Sequence, residues 1–224
     1  ISRADADAFA AESQRRAVAA IEAGRFAAEI VPVEITDRKG NVTVVDTDEG
    51  PRPGTTTEVL AKLRPVVAGG EVVTAGNSST LNDGASAIIV ASEEAVEKYG
   101  LQPRARVVAN ANAGLAPEVM GLGPIPATRK VLERAGWNIG SLDAVELNEA
   151  FATQSLASIR ELDLDHNKVN AWGGAIALGH PLGSSGSRIT ITLLNRLEQE
   201  GGQRGVATLC IGVGQGSAIA IERV

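Results

Sequence analysis

Apolar positions along the chain change period several times, and each change marks an element. From Ser2 to Gly24 the positions Ala6, Phe9, Ala10, Ser13, Ala17 and Ile21 follow helical spacing. Ser2 with Asp5 reads as a capping box at the start, and Gly24 as the stop. Residues 30–35 and 42–45 switch to strand character around Asp37-Arg38-Lys39-Gly40-Asn41, which predicts a hairpin. Residues 46–57 are polar and carry Pro51 and Pro53, so they read as loop, followed by a short helix over 57–63 that ends before Pro65. Residues 72–84 are rich in hydroxyls and amides, and Ala87–Val90 is predicted as a short buried strand. Ser92 caps a helix with Glu93 and Glu94 in its first turn, and Gly100 closes it. A domain boundary is placed near Gln102-Pro103.

Beyond that boundary the pattern becomes regular. Strands are predicted at 107–111, 143–147, 168–170, 206–209 and 218–221, and helices at 125–135, 149–162 and 185–200. The order β-α-β-α-β-α-β-β implies an α/β layered fold, with right-handed crossovers between parallel strands and a final antiparallel hairpin. The expected sheet is mixed and mostly parallel. Ligand sites in such sheets lie beyond the carboxyl ends of the strands.

The totals narrow the possible functions. The 224 residues are 44 % hydrophobic but only 3 % aromatic, so the core must be built from Ala, Val, Ile and Leu. A net charge of −6 without a basic cluster argues against nucleic acid as partner. No apolar run approaches a membrane span, and no secretory leader pattern opens the chain. The single cysteine, Cys210, has no internal partner, which fits a reducing compartment and a cytoplasmic location. Two histidines and one cysteine, at 166, 180 and 210, do not make a metal site. The glycine loops match neither dinucleotide nor phosphate-loop fingerprints.

The densest candidate chemistry lies in residues 169–195, where glycines 173, 174, 179, 183 and 186 surround His180 ahead of a helix. Glycines permit close backbone approach, and Pro181 biases His180 toward an extended backbone. Asn148 and Cys210 also leave predicted strand ends, so an amide, an imidazole and a thiol are expected at one sheet edge. His with Cys suggests acyl transfer with proton shuttling. Each residue also has a plainer reading: Asn148 as a helix N-cap, Glu149 as a first-turn charge, Cys210 as a small buried hydrophobe. His166 has only the marks of a solvated loop. Arg52, Ser78 and Ser79 either touch a ligand or satisfy loop backbone.

Three ordered stretches carry a resemblance: Asn148-Glu149-Ala150-Phe151-Ala152, Gly173 to Gly186 around Gly179-His180-Pro181, and Cys210-Ile211-Gly212-Val213-Gly214-Gln215-Gly216. They resemble the three carboxy-terminal motifs of thiolases, and the likeness extends through residues 74–79 and 120–126. The resemblance implies cleavage of a 3-ketoacyl-CoA by CoA, or the reverse condensation, with no permanently bound cofactor. It implies that His180 activates a nucleophilic cysteine, Asn148 fixes an oxyanion-hole water, Cys210 is the acid/base, and the Gly212 N–H stabilises an oxyanion. Ser79 would contact the pantetheine arm and Arg52 the CoA nucleotide, with Ala150, Phe151 and Met120 as further substrate positions.

This chain departs from the family at one place, because its only cysteine occupies the acid/base position and the nucleophile has no counterpart. The expectation is therefore a carboxy-terminal portion that needs an amino-terminal half as partner. Residues 1–82 would be part of the loop (lid) domain, 83–103 the last strand and helix of the missing half, and 104–224 the carboxy-terminal domain. A homo-oligomer is the further expectation. A non-catalytic CoA-binding or scaffold subunit is the main alternative. A ketoacyl-synthase relative is disfavoured by Cys210-Ile211-Gly212.

Overall fold

The computed structural model describes all 224 residues. Helix α1 (Arg3–Glu22) opens on the predicted capping box: the Ser2 hydroxyl accepts the Asp5 N–H, and the Asp5 carboxylate accepts the Ser2 N–H. Strands β1 (Val33–Thr36) and β2 (Val42–Val45) pair antiparallel as a small hairpin exposed along its whole length. The short α2 (Thr57–Leu60) follows, and α3 (Glu93–Tyr99) is capped by Ser92 and closed by Gly100.

The remaining elements build one sheet. In chain order they are β3 (Ala105–Gly114), α4 (Pro124–Ala135), β4 (Ala144–Leu147), α5 (Ala152–Glu161), α6 (Ala175–Leu178), α7 (Ser185–Glu200), β5 (Arg204–Ile211) and β6 (Gln215–Arg223). The strand order is β3-β6-β5-β4. Strand β4 runs parallel to β5, and a parallel bridge joins Val145 to Val169, while β6 pairs antiparallel with both β5 and β3. Every strand reached through a crossover therefore points the same way, and β6, the returning arm of the final hairpin, is inserted between β3 and β5. This is the mixed sheet expected.

Alternating residues sort the sheet onto two helical layers. Val145, Leu147, Val206, Ala218 and Ala220 face a core shared with α1, α4 and α5. Ala144, Ala207 and Ile221 face Ile189, Leu193 and Leu197 of α7. A fully buried Leu or Val side chain stabilises by about 1.5–3 kcal/mol relative to exposure, so these aliphatic layers suffice without aromatics.

Four expectations need correction. Ala87–Val90 forms no strand, and Ile89 and Val90 are 88 % and 79 % exposed, because no neighbouring strand in this chain pairs with them. Residues 168–170 contribute only the single bridge at Val169. The helix expected from Glu149 begins at Ala152, so Asn148 is not its cap and Glu149 is not in its first turn. His166 is not freely solvated; its ring stacks on Phe9 with centroids 5.3 Å apart.

Candidate active site

Strand β4 ends at Leu147, and the next two residues turn inward and are fully buried. The Asn148 N–H donates to the Thr208 carbonyl of β5, which fixes the residue at the strand end. Its side-chain Nδ2 lies 3.3 Å from His180 Nε2. The Asn148 Oδ1 is buried without a protein partner.

Glu149 is a fully buried carboxylate held by neutral donors. It accepts from the Ser13 hydroxyl at 2.7 Å, Asn170 Nδ2 at 2.8 Å and the Ile176 N–H at 3.2 Å. Burial pushes its carboxyl above the usual range, and these three hydrogen bonds oppose the push. Asn170 takes the left-handed conformation, φ 46°, and also accepts the Leu147 N–H and donates to the Leu147 carbonyl. A Cβ at Gly174 would run into the Glu149 carboxylate, so this glycine is demanded by close approach. The network pins the segment 170–178, which leads to His180.

His180 is gripped from several sides. Its N–H donates to the Thr80 carbonyl at 3.1 Å and to Asn82 Oδ1 at 3.2 Å. Gly179, at φ 93°, has the Asn82 side chain where a Cβ would sit. The ring Nδ1 lies 2.6 Å from the Ser185 hydroxyl. Burial first, and the Arg188 charge second, hold the imidazole below its ordinary pKa, so it is neutral at pH 7.

The segment 77–82 links the two motifs. The Ser79 N–H donates to the Ala150 carbonyl, Ser78 bridges to Phe151, and Leu81 bridges to His180. The structure thus places Ser79 against Ala150, and Ser78 against Phe151, just beyond Asn148, while Thr80, Leu81 and Asn82 reach His180. Cys210 lies near the end of β5, buried and paired with Gly216 of β6. Burial pushes its thiol above the ordinary value, so it keeps its proton. Gly212 follows in the exposed turn, with open space around its Cα.

Met120 lies in a 3-10 turn (Pro117–Leu122) whose Gly121 packs on Gln154 of α5. Arg52 is exposed, and its N–H donates to Gln14 Oε1. Its loop approaches α6 where Gly50 packs on the Ala177 carbonyl. Sequence reasoning missed Ser13, Asn82, Asn170 and Ser185. For Asn82, Asn170 and Ser185 the available signal was their position in or beside the motif stretches; Ser13 offered only its place on the apolar face of α1. Among His, Cys, Asp and Glu no cluster fit to hold a metal ion is found.

Comparison with known proteins bears on this geometry. Residues 101–223 match the family model of the thiolase C-terminal domain, and residues 1–94 match that of the thiolase N-terminal domain. The chain is 61 % identical to the beta-ketoadipyl-CoA thiolase of Pseudomonas aeruginosa, covering 100 % of this chain and 56 % of that protein. It is 53 % identical to the acetyl-CoA acetyltransferase of Thiocystis violacea, over 97 % of this chain and 55 % of the relative. The crystal structure of human mitochondrial 3-ketoacyl-CoA thiolase in complex with CoA superposes with a TM-score of 0.94 at 48 % identity, covering all of this chain and 55 % of that one. The chain therefore spans little more than half the length of the relatives it matches.

Proposed function

The chain belongs to the thiolase family, and from that premise we propose that it supplies the proton-handling half of a thiolase-type acyltransferase. The reaction is thiolysis of a 3-ketoacyl-CoA by CoA, or the reverse Claisen condensation, with CoA thioesters as substrates. The observation that carries this reading is the convergence of Asn148 and His180 at 3.3 Å, from two separate motifs, beyond the carboxyl end of β4.

The proposed roles follow from the local chemistry. A neutral imidazole with an unprotonated Nε2 takes the proton of an attacking thiol. Asn148, whose Oδ1 has no protein partner, holds the water of an oxyanion hole. In the cleavage direction the departing acetyl-CoA enolate must be protonated at Cα. Cys210, kept protonated by burial, is the donor, and in condensation the same thiolate removes that proton. The open Gly212 N–H faces the second developing oxyanion. Ser79, Ala150 and Phe151 line the approach of the pantetheine arm. Arg52 reaches the nucleotide end, and Met120 the acyl end. The nucleophilic cysteine belongs to the remainder of the protein, outside these 224 residues. Within the chain, residues 1–82 are the loop-domain portion, 83–103 complete the other half, and 104–224 form the carboxy-terminal domain. The assembled enzyme is a homo-oligomer.

The test uses the full-length protein that contains this chain, assayed for thiolysis of acetoacetyl-CoA and of beta-ketoadipyl-CoA, the latter named for the Pseudomonas aeruginosa relative. Activity on either, lost on Cys210→Ala and His180→Ala, is expected. Asn148→Ala should lower kcat by about 10²–10³, the usual loss on removing an oxyanion-hole group. CoA binding without turnover in either direction would overturn the reading in favour of a scaffold subunit.

A further inference from the structure

We infer that Ser185 is a positioning residue that orients the His180 ring and fixes its proton on Nδ1, leaving the Nε2 lone pair aimed at Asn148 and the reacting thiol. The inference rests on the reading of His180 as the working imidazole. It adds a residue that the three motif roles do not include.

The geometry is specific. Ser185 is fully buried at the first turn of α7, and its Oγ lies 2.6 Å from His180 Nδ1. The same oxygen lies 3.0 Å from the Pro181 carbonyl, to which its hydroxyl donates. A hydroxyl has one proton to give. With that proton on Pro181, Ser185 accepts at Nδ1, so the imidazole proton sits there and Nε2 is the acceptor. On the far side Asn148 Nδ2 donates to Nε2. The chain of hydrogen bonds then runs in one direction, from Asn148 through the ring and Ser185 to the Pro181 carbonyl.

The neighbouring hydroxyls do not substitute for this one. Ser184 Oγ is engaged with Ser86 Oγ at 2.6 Å, and Ser187 Oγ meets the same Ser86 Oγ at 2.6 Å. Anchored between Thr80, Asn82 and Ser185, the His180 backbone and ring are both fixed. Should the ring take up a second proton at Nε2, the Nδ1–H bond to Ser185 is retained, so the ring need not turn during a proton-transfer cycle. The arrangement is the hydroxyl counterpart of a carboxylate that orients a catalytic histidine, without its charge.

The experiment is 15N NMR of the full-length protein labelled at histidine, with the His180 signals assigned by their loss in His180→Gln. At neutral pH a protonated Nδ1 and an unprotonated Nε2 are expected. Ser185→Ala should shift the ring toward the Nε2–H tautomer and lower kcat ~10–100-fold at unchanged KM, less than the ~10⁴ lost when a charged orienting group is removed. Ser185→Thr, which keeps the hydroxyl, should restore both the tautomer and most of kcat. A wild-type ring protonated at Nε2 would overturn the inference, and this outcome needs no variant to fold. So would Ser185→Ala with unchanged ring signals. The ring spectrum reads the tautomer whether or not the protein turns over, so failure of the assigned activity and failure of this inference are separable.

Discussion

Valines and isoleucines meet opposite fates in two parts of this molecule. In the four-stranded sheet Val145, Val206 and Ile221 are at most 3 % exposed, covered by α1, α4 and α5 on one face and by α7 on the other. Between Leu81 and Val90, and along the β1–β2 hairpin, residues of the same kind lie open: Leu81 is 86 % exposed, and Val33, Ile35 and Val42 are each more than half exposed. Side-chain chemistry does not separate the two regions. What separates them is that helices of this chain cover the first region and none of its elements covers the second. Exposed apolar surface on this scale marks an interaction face, and the thiolase relatives are nearly twice as long. The comparison teaches that half of a fold can complete its own core and still leave its other faces unfinished.

The largest effect that would break the comparison lies in the finished region. Arg196 of α7 and Glu146 of β4 form an ion pair at 2.7 Å with both side chains 1 % exposed. Arg196→Met strands a buried carboxylate and should destabilise the protein by about 3–5 kcal/mol in urea unfolding. A loss below 1 kcal/mol would mean that this interior is wetter than described. Glu149→Gln comes next. It turns an acceptor toward three donors into a group that can satisfy only part of them, with an expected loss of about 1–3 kcal/mol. Cleavage of the 170–178 segment by thermolysin should quicken in the same variant.

The pH dependence sharpens the same contrast. Burial pushes Glu146 from 4.5 up to about 7, against the pull of Arg196. A raised carboxyl binds its proton more tightly folded than unfolded. Its contribution is therefore present below about pH 4.5 and lost as pH rises to about 7. Partly buried Glu12 behaves oppositely. Hydrogen bonding from Arg15, with help from Arg16, holds it at about 2, so its contribution is present above pH 4.5 and lost as pH falls to about 2. Melting temperature against pH should therefore fall less between pH 4.5 and 7 in Glu146→Gln, with Glu149 still contributing, and keep its acid limb. The smallest effect belongs to the open region. Ile89→Ser should change the stability of the 224-residue chain by no more than about 0.5 kcal/mol, yet lower the melting temperature of the full-length protein measurably. Equal effects in both would sink the account of an unfinished face.

Much of this was legible in the chain. The caps at Ser2 and Ser92 and the stop at Gly100 are decided within four residues, so local reading found them. The strands from 105 onward were legible because each brings its own covering helices. Ala87–Val90 was misread because burial of an apolar run depends on neighbours that the run does not encode. Glu149 reads as a helix start, with Asn148 as its alternative cap, because a carboxylate after an amide is a strong local signal. Their actual partners, Ser13, Asn170 and Thr208, come from 136, 21 and 60 residues away. Ser185 was unreadable for another reason: beside Ser184 and Ser187 nothing local says which hydroxyl meets the imidazole.

The bond from Ser13 to Glu149 has a consequence for the order in which the molecule forms. Its ends are 136 residues apart, so the entropy of closing that loop is met before the contact gives anything back. Until α1 docks, the carboxylate lacks one of its three donors and the backbone ahead of His180 is free to move. Docking of α1 after the sheet would make the reactive centre mature in the last step of folding. Ser13→Ala should accordingly quicken unfolding and leave the refolding rate unchanged, a φ-value near zero; a slowed refolding rate would place the docking of α1 early instead.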